Sequence, residues 1–367
     1  MWIRRWSGRC AALALGLLVG ACQPTTAPDL GIDFDSDATL SAYETVDSLF
    51  ASPALAGFQA LNGRTPFSGS AAAVDVVAAL TGSARADAGR AYALGLANRV
   101  RDIGIGRTGP AAAPIISDHH RGVTFVYDPD TDEYTQDPER PGAPATGVRF
   151  VLYETDLAGF PIVEEEIGYA DLIDDGDESV EDVALHLTVV AHETTVLEYT
   201  VTLDEVETGG TLAVHGALQD HDGVRLDFDI EATATNVGEQ TRLDVAFDLR
   251  VDVRDFSVVG SVTGIEEGLE GEGHVELVVR HRTDSIRLSV DGEGGQIDGS
   301  VFVNGRLFAT VTGDASDPVI ASGSGEPLTL RELLVLRHII DGVEDVFDFL
   351  EDLLDPVDEL VILAIIL

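Results

Sequence analysis

The sequence predicts a mainly β (α+β) protein: a large antiparallel β-meander, with a curved half-barrel as its candidate arrangement, flanked by N-terminal helices and a C-terminal amphipathic helix. Three observations carry this. Apolar residues alternate with polar ones along most of the stretch from Val183 to Val311, the period of a sheet with one dry and one wet face. Turn-forming pairs punctuate those runs: Gly209-Gly210, Asp222-Gly223, Asp291-Gly292 and Asn304-Gly305. At both ends of the chain the apolar period changes to that of a helix.

Taken in order, residues 1–21 read as a leader and 22–37 as a polar, Pro-containing tether. The stretch 38–114 reads as a helical region closed by a Gly/Pro link. In it Leu40, Tyr43, Val46, Leu49 and Phe50 recur at helical spacing behind Asp37 as a cap, and alanine-rich pieces follow at 71–80 and 84–103. The β domain is expected over 115–327, with ten to twelve strands between about 122 and 313. Its longest strict alternation is Leu243, Val245, Phe247, Leu249, Val251 and Val253, with Asp244, Asp248, Arg250 and Asp252 on the opposite face. Asn304-Gly305 is the strongest hairpin signal, because a type I′ turn needs left-handed backbone at both central positions. Residues 328–367 supply Leu330, Leu333, Leu334 and Ile340, then Val343, Val346 and Leu350, a C-terminal helix expected to pack on the β domain. The final apolar run from Val361 to Leu367 is too short to cross ~30 Å of hydrocarbon. Alternation of this kind also fits an outer-membrane barrel, but only 6% of residues are aromatic, too few for interfacial girdles.

The first 22 residues carry an address. Arg4, Arg5 and Arg9 form a positive segment, Ala11 to Val19 an apolar one, and Gly20 and Ala21 lead to Cys22, the order of a secretory signal. Val19-Gly20-Ala21-Cys22 resembles the lipobox of bacterial lipoproteins. The resemblance implies cleavage before Cys22, a diacylglycerol and an N-acyl chain on that cysteine, and anchoring to a membrane. Gln23, which is not aspartate, implies the outer membrane. The only other cysteine, Cys10, lies inside the leader. The mature chain is therefore expected to have no disulfide, no thiolate nucleophile and no cysteine-based metal site.

The formal charge is −43, from 65 acidic residues against 22 basic ones, all arginine. Removal of the leader deletes three arginines and no acid. A surface of this sign repels nucleic-acid phosphates and anionic headgroups, so neither is expected as a partner. Adaptation to external salt accounts for such acidity, and binding of divalent cations is the competing account.

Motifs with chemistry are few. Asp128, Asp130 and Asp132 offer carboxylates at alternate positions, as calcium prefers, but Glu133 occupies the place of the turn glycine. Asp174-Asp175-Gly176-Asp177-Glu178 is a second acidic loop. Gly104-Ile105-Gly106-Arg107-Thr108-Gly109 matches a dinucleotide pattern but follows a helical region, where the motif needs a strand. His192-Glu193 lacks the second histidine of a zinc-protease helix and falls in expected β structure. No catalytic residue and no cofactor beyond the lipid on Cys22 is expected. Three functions follow: a structural or binding envelope lipoprotein, a carrier of a lipid or other apolar ligand, and a cation-binding surface protein.

Overall fold

The computed structural model describes Ser41, Thr45, Leu49, residues 52–61, Arg64, Ile116 and residues 118–175, 183–206, 209–237, 240–266, 272–314 and 317–323. The chain separates into two compact units, Met1–Ile32 and Asp33–Leu367, and every described residue belongs to the second. The expected leader, Cys22 with its box, the expected tether, the glycine pattern at 104–109, the expected C-terminal helix and the run 361–367 lie outside the described residues, as does most of the expected N-terminal helical region.

One sheet of fifteen strands dominates. In chain order these are β1 (Val123–Asp128), β2 (Glu133–Asp137), β3 (Gly147–Thr155), β4 (Pro161–Asp174), β5 (Val183–Ala191), β6 (Thr194–Val206), β7 (Gly209–Gln219) and β8 (Arg225–Val237). They continue with β9 (Gln240–Val251), β10 (Phe256–Glu266), β11 (Glu272–His281), β12 (Asp284–Glu293), β13 (Gln296–Val303), β14 (Arg306–Asp314) and β15 (Asp317–Ser322). From β3 to β15 each strand pairs antiparallel with the next, a continuous meander. The other edge departs from that rule. β1 pairs antiparallel with β2 but parallel with β3, because the Pro-rich connection 138–146 carries the chain back across β1. β2 and β15 are the two edges, so the sheet is open and does not close into a barrel.

Fifteen strands exceed the ten to twelve expected, and they extend to Ser322. Part of the excess is β2, too short to offer an alternating run, and β15, which lies beyond the expected limit. Two turn assignments also move. Gly209-Gly210 opens β7, and Asp291-Gly292 lies inside β12, whose turn is Gly294-Gly295. Asn304-Gly305 turns as expected, with φ of 51° and 75°. Val253 departs from the alternation that names it. The strand ends at Val251, a 3-10 turn takes Asp252–Arg254, and Val253 points to solvent.

Register makes the apolar face continuous. Val148, Leu172, Leu187, Tyr199, Gly216, Phe228, Leu249, Val258, Val279, Ile286 and Val303 are successive cross-strand partners from β3 to β13. Apart from Gly216, every residue in that row is at most 3% exposed. One helix is described against this face: α1 (Pro53–Gln59), which starts where Ser52 accepts the N–H of Leu55 at 3.3 Å and Pro53 fixes the first turn. It buries Leu55 and Phe58, and burial of such a side chain contributes about 1.5–3 kcal/mol. Gly57 lets α1 approach the Tyr153 carbonyl, which a Cβ there would meet at 2.9 Å. Under it Phe150 stacks on Phe125 at 5.1 Å and meets the edge of Tyr134 at 5.8 Å.

Candidate functional site

The three aspartates singled out in the sequence sit on the tight β1–β2 hairpin. The Asp130 N–H donates to Asp128 Oδ1 at 2.9 Å, an Asx turn that shapes the loop. Asp132 adopts left-handed backbone, φ 57°, and its Oδ1 accepts from Tyr127 Oη at 2.7 Å and from Arg64 Nε at 2.9 Å. The Tyr127 hydroxyl, and then Arg64, hold the Asp132 carboxyl below its ordinary range. Burial, with Asp132 as hydrogen-bond partner, pushes Tyr127 up to about 12. The hairpin thus brings the three acids close in the chain but commits Asp132 to an arginine and a tyrosine. Among the described residues no three His, Cys, Asp or Glu side chains converge as a metal set.

The second acidic loop divides. Asp174 ends β4 as a buried side chain accepting from the Ile116 N–H at 3.4 Å and Arg121 Nη2 at 3.3 Å. It ties the segment before β1 to the sheet. Residues 176–178 lie outside the described residues.

His192 and Glu193, expected in β structure, form the β5–β6 turn with φ of 48° and 66°. They border a shallow depression of about 500 Å³, whose other walls include Glu166 and Tyr169. Arg140 donates to both oxygens of Glu166 at 2.5 Å. Arg149 lies 3.6 Å above the Tyr169 ring and reaches both oxygens of Asp171 at 2.7 Å. Glu165 is raised by a hydrogen bond that its protonated carboxyl donates to Glu154, and by the Glu154 charge.

The wet face of the sheet carries histidine–acid pairs. His215 Nδ1 lies 2.6 Å from Asp229 Oδ1 and His274 Nδ1 2.8 Å from Asp291 Oδ1. His186 stands between Thr200 and Thr188, each at 3.2 Å. Arg225, Arg242 and Arg250 pair with Asp227, Asp244 and Asp248 two residues away on their own strands. These three arginines are therefore neutralised by neighbouring acids. The residues that sequence reasoning missed are Arg64, Tyr127 and Arg149. Arg64 meets Asp132 from 68 positions away, and no local pattern encodes a contact of that separation.

No protein-family model, no curated protein and no solved structure matches the chain.

Proposed function

We propose that this chain is a non-enzymatic, acidic lipoprotein of the cell envelope, structural or binding in role, held on the outer membrane by acyl chains on Cys22. Val19, Gly20, Ala21 and Cys22 support the anchor. The observation that favours a structural or binding role over a carrier is the buried row that crosses the apolar face. A cavity able to shelter a lipid leaves its lining atoms accessible to something the size of water. Apart from Gly216, every residue of the row from Val148 to Val303 is at most 3% exposed. A carrier is the second reading, and the open order of the sheet is what favours it.

The anchor is tested by the chain purified from its own membrane. Mature protein is expected to begin at Cys22 with acyl mass attached, and Cys22→Ser is expected to move it from the membrane to the aqueous fraction. An unmodified Cys22 in a membrane-free wild type overturns the reading. Native mass spectrometry of the same sample is expected to show no stoichiometric lipid beyond the covalent one; a bound lipid would transfer the argument to the carrier.

A further inference from the structure

In a meander, successive hairpin turns alternate between the two ends of the sheet. The turns β3–β4, β5–β6, β7–β8, β9–β10, β11–β12 and β13–β14 therefore share one rim. Five of the eight large exposed apolar side chains of the described residues lie there. Leu157 and Phe160 occupy the β3–β4 tip, with Val163 just after it. Val253 is on the β9–β10 tip and Leu307 beside the β13–β14 turn. Leu157 is 95% and Val253 66% exposed. At the opposite end lie Ile265 and, just after the β14–β15 turn on the edge strand, Val319, with Ile320 beside it, but neither hairpin tip there carries an exposed apolar side chain of this kind among the described residues.

These tips are held rigid. Asp156 Oδ1 accepts the N–H groups of Ala158 at 2.7 Å and Phe160 at 3.0 Å, and the Asp156 N–H returns to the Phe160 carbonyl at 2.9 Å. The Arg64 guanidinium lies 5.0 Å from the Phe160 ring centre. The Asp255 N–H donates to Asp252, and Arg282 on the next tip of this rim donates its N–H to Asp255. Exposure here is a built conformation.

We infer that this rim is a membrane-contacting edge, with Leu157 and Val253 entering the surface of a zwitterionic bilayer. The inference rests partly on the anchor proposed above, which keeps a bilayer within reach. Spacing argues for a flat partner over a pocket. The β3–β4 and β9–β10 hairpins are six strand positions apart, about 29 Å at ~4.8 Å per strand, too far for one apolar recess. Charge selects the lipid. Asp156, Glu154, Glu164 and Glu165 surround the first tip, so anionic headgroups repel it, whereas ethanolamine ammonium groups complement it. Shallow entry of a few apolar side chains gives weak reversible binding alone and useful orientation once a covalent lipid supplies the first hold.

The test uses single-tryptophan reporters. The sequence has two tryptophans, Trp2 and Trp6, both replaced by phenylalanine in the background. L157W, V253W and I265W are each purified with their native acyl chains and reconstituted into phosphatidylethanolamine–phosphatidylcholine vesicles. The first two indoles are expected to shift to shorter wavelength, and brominated acyl chains to quench them at least about twofold more than the third. Vesicles rich in phosphatidylglycerol are expected to reduce that shift. Flotation with the vesicles reads the anchor independently. Proteoliposomes that float while all three indoles keep water-like emission and equal quenching overturn the rim and leave the anchor standing. Protein that fails to float overturns the anchor, and its rim is then judged by the same shift on added vesicles, whose absence overturns it.

Discussion

At the scale of a residue, Tyr127 shows how one buried polar group depends on partners far away in sequence. Its ring is buried and packs 5.7 Å from that of Tyr134, and its hydroxyl donates to Asp132 Oδ1. Burial first, then the hydrogen bond to the carboxylate, raise its ionisation to about 12 from about 10 in the unfolded chain. A group raised in the fold contributes stability that is full below the unfolded value and is lost as pH climbs toward the folded one. Melting temperature is therefore expected to fall between about pH 10 and 12. Tyr127→Phe is expected to remove that component, at most about 2–3 kcal/mol, after a loss of about 1 kcal/mol at neutral pH for the hydrogen bond. Parallel alkaline melts of the two proteins check this, and identical slopes would show that Tyr127 carries no such term. None of it was legible in the run from Asp128 to Asp132. The acids were visible as a spacing, but the tyrosine and arginine that occupy Asp132 are set by the hairpin and by a contact across 68 positions.

At the scale of an element, the strands were legible where burial is one-sided, because a period of two then has a single solution. The runs Val245 to Val251 and Leu226 to Ile230 lie on the dry face as their alternation requires. Alternation failed at Val253, where Asp252–Arg254 turns and the pattern continues by coincidence for one residue past the strand. Glycine pairs were ambiguous for a physical reason. Asn304-Gly305 needs positive φ and so marks a turn, while glycine within a strand answers a different need. Gly260 is the clear case. It faces Phe247 directly across the β9–β10 ladder, and a Cβ there would lie 2.5 Å from Phe247 Cε1 and closer still to Cζ. The aromatic ring covers the glycine, a device that lets a sheet bend without exposing its backbone. Gly260→Ala is expected to cost about 1–3 kcal/mol through overpacking. Gly264→Ala, whose nearest new neighbour is the Glu272 carbonyl at 3.7 Å, serves as the control with little change. Urea midpoints at constant slope read the difference, and equal losses at both glycines would refute the close-contact explanation.

At the scale of the whole molecule, the charge of −43 becomes a specific liability once register is known. Asp229 faces Asp248, Asp291 faces Asp298, and Glu272 faces Glu293 across adjacent strands. Directly opposed like charges destabilise a sheet, and His215, His274 and Arg250 relieve only the members they touch. Directly opposed residues have Cβ atoms about 5 Å apart, inside the Debye length of ~10 Å at 0.1 M but beyond the ~3 Å of 1 M salt. Stabilisation by salt should therefore keep growing through the molar range, where repulsion between distant surface charges is already screened. The melting temperature is expected to rise steadily from about 0.05 to 1 M sodium chloride. Calcium chloride at matched ionic strength separates screening from a dedicated site. Similar curves support a solvated acidic surface of the kind a saline exterior favours. A calcium curve that climbs and saturates far below the molar range would instead mean that some of these acids bind the ion, and the cation-binding reading would replace the screening account.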